Sequence, residues 1–157
     1  MLSNILNYFT FEMIYLWTSY GVIPFWLILI FLPNSKASQF FVNSIIAPLI
    51  LAFTYGYVIY QAISMEISLL QIFKQYQGID SLYALFSDES MLLIFWLHFL
   101  SINLFLGSWI SRDAIKFNIP KALVAVPLLF VYFAGPVGLM MYWTVRIFYS
   151  KKINFND

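Results

Sequence analysis

Four long apolar stretches, separated by short polar breaks, organise the chain. They cover about residues 13–32, 40–63, 91–110 and 122–148. Each supplies the roughly 20 mostly apolar residues that a helix needs to cross the hydrocarbon core of a bilayer. Runs such as FWLILIFL show no alternation with a period of two, and backbone inside lipid must satisfy its own hydrogen bonds. The pattern therefore predicts an all-α fold, in which residues 1–157 form a single domain, a bundle of four transmembrane helices.

The segment between the second and third stretches, MEISLLQIFKQYQGIDSLYALFSDES, is too polar to cross a membrane and too apolar for an open loop. Its apolar positions predict short helices lying on the membrane interface, broken at Gly78: Leu69, Leu70, Phe73, Leu82, Leu85 and Phe86. Ser87, Asp88 or Ser90 is expected to cap the start of the third span. A surface helix that covers the bundle end is favoured over a substrate gate.

Composition supports a membrane protein and excludes several functions. The chain is 62% hydrophobic and 10% charged, whereas soluble domains average about 45–50% and about 25%. A net charge of +1 without a basic stripe argues against a nucleic-acid partner. With no cysteine and one histidine we expect no disulfide and no metal site. The N-terminus lacks the basic region of a signal peptide, which favours insertion through the first span into a bacterial-type plasma membrane.

Positive charges do not orient this predicted bundle. Four straight spans would place both termini on one side of the membrane. Four lysines and arginines then fall on each side. They are Lys36, Arg112, Lys116 and Lys121 with the two short loops, and Lys74, Arg146, Lys151 and Lys152 with the termini. The positive-inside rule consequently gives no direction.

The third stretch carries polar groups on two faces. At about 100° per residue, one face holds His98, Ser101, Phe105, Ser108 and Arg112, and the other holds Trp96, Asn103 and Gly107. A buried amide without a partner costs about 2–7 kcal/mol, so Asn103 is expected to meet another helix, with Gly107 allowing close approach. Asn103 is interpreted as a contact between helices. For His98 two interpretations stay open, a neutral imidazole bonded within the bundle and a titrating functional group.

The fourth stretch contains the run GPVG. Gly135, Gly138, Tyr142 and Arg146 share one face, and the glycines let a neighbouring helix approach. Pro136 cannot donate to the carbonyl of the residue four before it, so a kink or a freed carbonyl is expected there. Packing within the chain, contact between two copies of a homo-oligomer, and a binding site are all open interpretations of this face.

An antiparallel fourth span would bring Tyr142 level with His98. We therefore predict a cluster of these two side chains inside the membrane, with Arg146 and an acid at its rim. The acids expected on that side are Glu12, Glu66, Asp88 and Glu89. Asp113 is expected at the opposite surface, as a solvated ion pair with Arg112 or Lys116.

The residues of the last two stretches resemble a known family. LHFLSINLFLGSWISRDA, followed by IPKALVAVPLLFVYFAGPVGLMMYWTVR, is similar to the abscisic-acid-deficient-four-like membrane proteins. PFWLILIFLPNSK and SLYALFSDES fit the same pattern, so the resemblance extends from about Phe11 to Arg146. The family usually has an aspartate where this chain has Asn103. An amide cannot act as a general acid or base, whereas a buried carboxyl could.

The resemblance implies two kinds of function. The plant member is associated with neoxanthin synthesis, which implies a cofactor-independent isomerase of a carotenoid or another isoprenoid. His98 would be its base or proton shuttle, Tyr142 a hydrogen-bond donor and Asn103 an orienting group. Ser101, Arg146 and Trp96 are further candidates for substrate or structural contacts. The alternative is a non-catalytic protein that binds membrane lipid or pigment, or that assists another membrane enzyme. A channel or transporter is disfavoured because no ring of acids or inverted repeat is visible.

Overall fold

The structure is a computed structural model, and it describes residues 9–44, 46–64 and 76–151. Its helices are α1 Phe11–Gly21, α2 Ile23–Phe31, a π-helical turn Ser38–Val42, α3 Ile46–Ser64, α4 Ile79–Phe86, α5 Glu89–Lys116 and α6 Lys121–Ser150. The described residues contain no strand. The prediction of an all-α fold is confirmed.

By length and composition along the chain alone, four helical segments are long and apolar enough to cross a membrane: Phe11–Phe31, Ser38–Ser64, Glu89–Lys116 and Lys121–Ser150. They match the four predicted spans to within a few residues, except that α5 continues six residues beyond the predicted end at residue 110. Arg112 and Asp113 therefore lie within the helix rather than at its exit. The chain leaves α5 through Asn118, whose φ of 53° is the left-handed conformation common after helix ends.

The segment before α5 is helical where it is described. Gly78 has the extended φ of −162° and directly precedes α4, as the predicted break requires. Leu85 of α4 is buried against Ala62 and Met91. The predicted interfacial positions Leu69, Leu70 and Phe73, together with Glu66, lie outside the described residues.

Asp88 caps the start of α5. Its Oδ1 accepts hydrogen bonds from the backbone N–H groups of Ser90 at 3.0 Å and Met91 at 3.1 Å, and from the Ser90 hydroxyl. These bonds satisfy N–H groups that have no partner within the helix. Led by the Ser90 hydroxyl, they hold the pKa of Asp88 below its usual value, against the opposing effect of burial. Of the three predicted caps, the structure selects Asp88.

The chain divides into two compact units. The first comprises the chain up to Gly21 together with Ile50–Phe99. Its core contains Ile14, Val58, Leu93 and Leu97. The second unit comprises Val22–Leu49 and the chain from Leu100 onward. It contains most of the polar residues singled out in the third and fourth spans.

In the second unit, α6 reverses direction at Ala134. This residue has φ −150° and ψ 74°, which are not helical, between helical residues 121–133 and 135–150. A Cβ atom placed on Gly138 would lie 2.6 Å from the carbonyl oxygen of Pro127 and against the amide nitrogen of Val131. In a straight helix, positions 127 and 138 would be about 16 Å apart along the axis. The two halves of α6 therefore lie side by side as a helical hairpin.

Local sequence explains the reversal. Pro136 has no N–H for the carbonyl of Tyr132 and suits the first turn of a new helix. Gly138 has no Cβ, so the two halves can touch backbone to backbone. A kink was expected at Pro136, and the structure has its non-helical residue two positions earlier, at Ala134. The halves are about 20 Å and 24 Å long, shorter than a hydrocarbon core of about 30 Å.

The second half of α6 runs parallel to α5. Near its start, Gly135 lies against Asn103. Tyr142 lies against Trp109, and near the end Arg146 lies against Phe117. The tip of the hairpin thus meets the middle of α5, and its open end lies beside the end of α5.

Candidate functional site

A buried ion pair joins α5 to the second half of α6. The Asp113 Oδ2 atom accepts hydrogen bonds from Arg146 Nε at 2.7 Å and from the Tyr142 hydroxyl at 2.6 Å. Arg146 and Tyr142 are 0% exposed and the Asp113 side chain is 10% exposed, so the ion pair lies almost entirely inside the protein. We call Asp113, Tyr142 and Arg146 the buried cluster.

Aromatic rings surround the buried cluster. The guanidinium carbon of Arg146 lies 4.8 Å from the ring centroids of both Phe117 and Trp143, within cation–π range. Trp109 meets the Tyr142 ring edge to face at 5.9 Å and stacks on Trp143 at 6.0 Å. Since Tyr142 is fully enclosed, its hydroxyl cannot touch a ligand in this conformation. The arrangement suits holding the hairpin against α5.

Two predictions about these residues are wrong. Asp113 pairs with Arg146 and not with Arg112 or Lys116 as a solvated pair. Tyr142 was expected level with His98, but its hydroxyl donates to Asp113, fifteen residues later on α5. Both errors have one physical cause, the reversal at Ala134, which returns Tyr142 and Arg146 to the end of α5.

Asn103 lies beneath the tip of the hairpin. It is 6% exposed, and a Cβ atom on Gly135 would come within 3.2 Å of its Cγ atom. The expected contact with another helix is therefore present. Among the described residues, its Nδ2 atom has no hydrogen-bond partner. A buried donor without an acceptor costs about 1–3 kcal/mol, so Asn103 is a destabilising feature of this tip.

The other small and polar residues of α5 pack between helices. A Cβ atom on Gly107 would meet the Trp26 ring at 2.8 Å, which confirms the predicted close approach. Ser101 and Ser108 donate long hydrogen bonds of 3.4 Å to the Pro48 carbonyl and to Asn43 Oδ1.

His98 lies at the edge of a cavity in the first unit. The side chain is exposed, and its ring centroid is 6.2 Å from that of Tyr55. The cavity has a volume of about 300 Å³ and we call it the His98 cavity; it is lined by Tyr55, Ile59, Ala62, Ile63, Tyr76, Met91, Ile94, Phe95 and His98. An imidazole therefore stands beside an otherwise apolar and aromatic space.

A larger aromatic groove shares Phe95 with the His98 cavity. Its volume is about 790 Å³, and it is lined by Phe11, Glu12, Tyr15, Phe86, Glu89, Leu92, Leu93, Phe95, Trp96 and Phe99. Trp96 is fixed there, because its indole N–H donates to the Ser19 hydroxyl at 2.8 Å. Within the described residues, no group of three or more His, Asp or Glu side chains could hold a metal ion.

The long apolar helices, with their polar contacts enclosed between them, place this protein in the class of helical membrane proteins. The family model described as ABA DEFICIENT 4-like matches residues 13–142, and the chain belongs to this ABA4-like family. The match includes His98, Asn103, Asp113 and Tyr142. Searches of curated proteins and of solved structures give no match.

Proposed function

We propose that this protein is a multi-pass, cofactor-independent isomerase that acts on a carotenoid or related isoprenoid in the bilayer. The family suggests a neoxanthin-synthase-like membrane protein. The observation that carries the proposal is the position of His98, whose imidazole stands at an apolar, aromatic cavity. An imidazole has one ring nitrogen that can accept a proton and one that can donate a proton, so it suits general acid–base chemistry there.

The proposed reaction converts an epoxide at the end of a polyene into an allenic alcohol. His98 removes a proton from the chain carbon next to the epoxide, and the electron pair of that C–H bond forms the second double bond of the allene. The epoxide C–O bond breaks, and its oxygen takes up a proton to become a hydroxyl. Atoms and electrons balance without an oxidant, so the step requires one proton relay and a dry site.

The cavities of the first unit suit a long apolar ligand with a bulky end group. The His98 cavity, at about 300 Å³, has room for one end of such a molecule and not for its whole length. The adjoining groove, at about 790 Å³, offers aromatic walls for the polyene, and Phe95 lines both spaces. Small-molecule sites are typically apolar, with few polar groups that fix orientation.

Tyr142 was the expected hydrogen-bond donor, and in this proposal Tyr55 or Tyr76 takes that role. Tyr142 is buried and bonded to Asp113, so its contribution in this proposal is to stabilise the hairpin. Tyr55 and Tyr76 line the His98 cavity instead. Either hydroxyl could donate a hydrogen bond to the epoxide oxygen.

His98→Ala is expected to lower conversion by about 100-fold or more, the low end of the contribution of a general acid–base group. The measurement is chromatography of carotenoids from cells that make an epoxycarotenoid and express equal amounts of each variant. Tyr83→Phe is the matched control, because Tyr83 is 78% exposed on α4 and lines neither space. Full conversion by His98→Ala would contradict the assignment.

Asn103 supports a second function, a non-catalytic protein that binds pigment or lipid. The amide stands where the resembled family usually carries an acid, and its Nδ2 atom has no hydrogen-bond partner in the part of the chain that the structure describes. Pigment extracted from the purified protein separates the two functions. Bound carotenoid of unchanged structure would support binding alone, whereas an allenic product would support the isomerase.

A further inference from the structure

A cavity of about 260 Å³ opens at the end of the second unit where α5 stops and α6 begins. It is lined by Leu29, Ile30, Pro33, Asn34, Ser111, Ala114, Ile115, Asn118, Ile119, Pro120, Lys121, Val124 and Leu128. The end of α2, the end of α5 and the start of α6 thus supply its walls. We call it the Ser111 cavity.

The polar groups of the Ser111 cavity can all donate hydrogen bonds. The Ser111 hydroxyl is buried at 1% exposure and has no hydrogen-bond partner among the described residues. Buried hydroxyls usually have a hydrogen-bond partner. A bound ligand could supply the acceptor for this one. Lys121 brings a positive charge, and the side-chain amides of Asn34 and Asn118 add further donors.

The start of α6 strengthens the preference for an anion. Pro120 precedes the helix and no side chain caps it. The first backbone N–H groups of a helix have no acceptor within it and carry the positive end of the helix dipole. Residues 121–133 form more than three turns, long enough for this effect.

The described lining contains no carboxylate. The carboxylate closest in sequence, on Asp113, is two residues from Ser111, and its Oδ2 atom binds Tyr142 and Arg146. Its charge is therefore balanced within the buried cluster. The electrostatic potential in the Ser111 cavity is therefore positive, because it depends on Lys121 and on the hydrogen-bond donors around it.

The walls of the cavity are apolar. Leu29 and Leu128 are buried at 0% and 1% exposure, and Ile115 is 42% exposed beside the opening. A soluble anion would leave these surfaces without a partner, whereas an amphiphile would cover them with its hydrocarbon. The volume suits a head group and the first carbons of a chain.

We propose that the Ser111 cavity binds the phosphate of an anionic phospholipid. The Ser111 hydroxyl, the Lys121 ammonium and the N-terminus of α6 hold the phosphate oxygens. The glycerol and the upper acyl chain lie on the side of Ile115 and Val124. This lipid site is separate from the proposed isomerase reaction, because its residues belong to the second unit and His98 to the first.

Native mass spectrometry of the full chain, delipidated in detergent and titrated with phosphatidylglycerol, tests the site. Lys121→Gln and Ser111→Ala are each expected to weaken binding of the first lipid by about 5- to 20-fold, as expected for lost charge-assisted hydrogen bonds. Lys121→Arg should retain binding. Arg112→Gln is the matched control, since Arg112 is an exposed cation of α5 that does not line the cavity.

Three results would overturn the proposal. Equal losses in Lys121→Gln and Arg112→Gln would mean that general surface charge attracts the lipid. Equal affinity for phosphatidylcholine would remove the preference for an anionic head group. Displacement of the lipid by millimolar inorganic phosphate or glycerol phosphate would assign the cavity to a soluble anion. Because Lys121 is exposed, its variant reports binding even if Ser111→Ala perturbs folding.

Discussion

Replacing Asp113 with alanine is expected to destabilise the second unit by about 3–5 kcal/mol, the usual cost of removing one partner from a buried ion pair. The carboxylate accepts from both Arg146 and Tyr142, and each of those side chains is 0% exposed. Its removal deprives the buried guanidinium of the carboxylate that lies 2.7 Å from its Nε atom. The phenol loses its acceptor in the same step.

Unfolding of the purified protein in detergent, followed by circular dichroism during titration with a denaturing detergent, measures this effect. Asp80→Ala is the control, because Asp80 is an exposed acid on α4 and should change stability by less than about 0.5 kcal/mol. The double variant Asp113→Leu with Arg146→Met should recover much of the loss, since it removes both buried charges. An Asp113→Ala protein as stable as the unmodified chain would show that the ion pair does not hold the hairpin.

Gly138→Ala is expected to disrupt the hairpin of α6, at a cost of about 3 kcal/mol from overpacking. The new methyl group would lie 2.6 Å from the Pro127 carbonyl oxygen and collide with the Val131 amide. Both are backbone atoms of the facing half-helix, so neither can rotate away. The halves of α6 must move apart, and Tyr142 and Arg146 would then shift from Asp113.

Gly56→Ala is the matched substitution, and the same unfolding assay measures both. A Cβ atom on Gly56 meets nothing within 4 Å, so alanine should stabilise α3 by about 0.5–1 kcal/mol. Gly135→Ala tests the intermediate case, because its methyl group meets the Asn103 side chain, which can turn. If Gly138→Ala proved as harmless as Gly56→Ala, the close packing of the two half-helices would be wrong.

The apolar runs were sufficient to predict the four helical segments. Their length and hydrophobicity depend on local composition, and only their ends shifted, as where α5 takes in Arg112 and Asp113. The cap at Asp88 was predictable for the same reason, since it depends on neighbouring residues. The glycine face of α6 also emerged from helical periodicity, with Gly135 and Gly138 both buried.

The local sequence pattern could not predict which residues of α5 the faces of α6 pack against. Periodicity assigns residues to a face but does not reveal that the chain turns back, so Tyr142 was paired with the wrong end of α5. A signal was present in the sequence. The fourth apolar stretch, about residues 122–148, has about 27 residues and contains prolines at 127 and 136, whereas a crossing needs about 20. Two half-length helices fit that excess better than one straight span.

The reversal of α6 at Ala134 also changes the side of the membrane at which this helix is expected to end. Asn34 and Lys121 border one cavity, and the returning half of α6 brings Arg146 and Lys151 to this end. The six basic residues in the described part of the chain are therefore expected at this end: Lys36, Arg112, Lys116, Lys121, Arg146 and Lys151. By the positive-inside rule, such an imbalance predicts that this end faces the cytoplasm. An epitope tag attached after residue 157 should accordingly resist protease added outside intact cells.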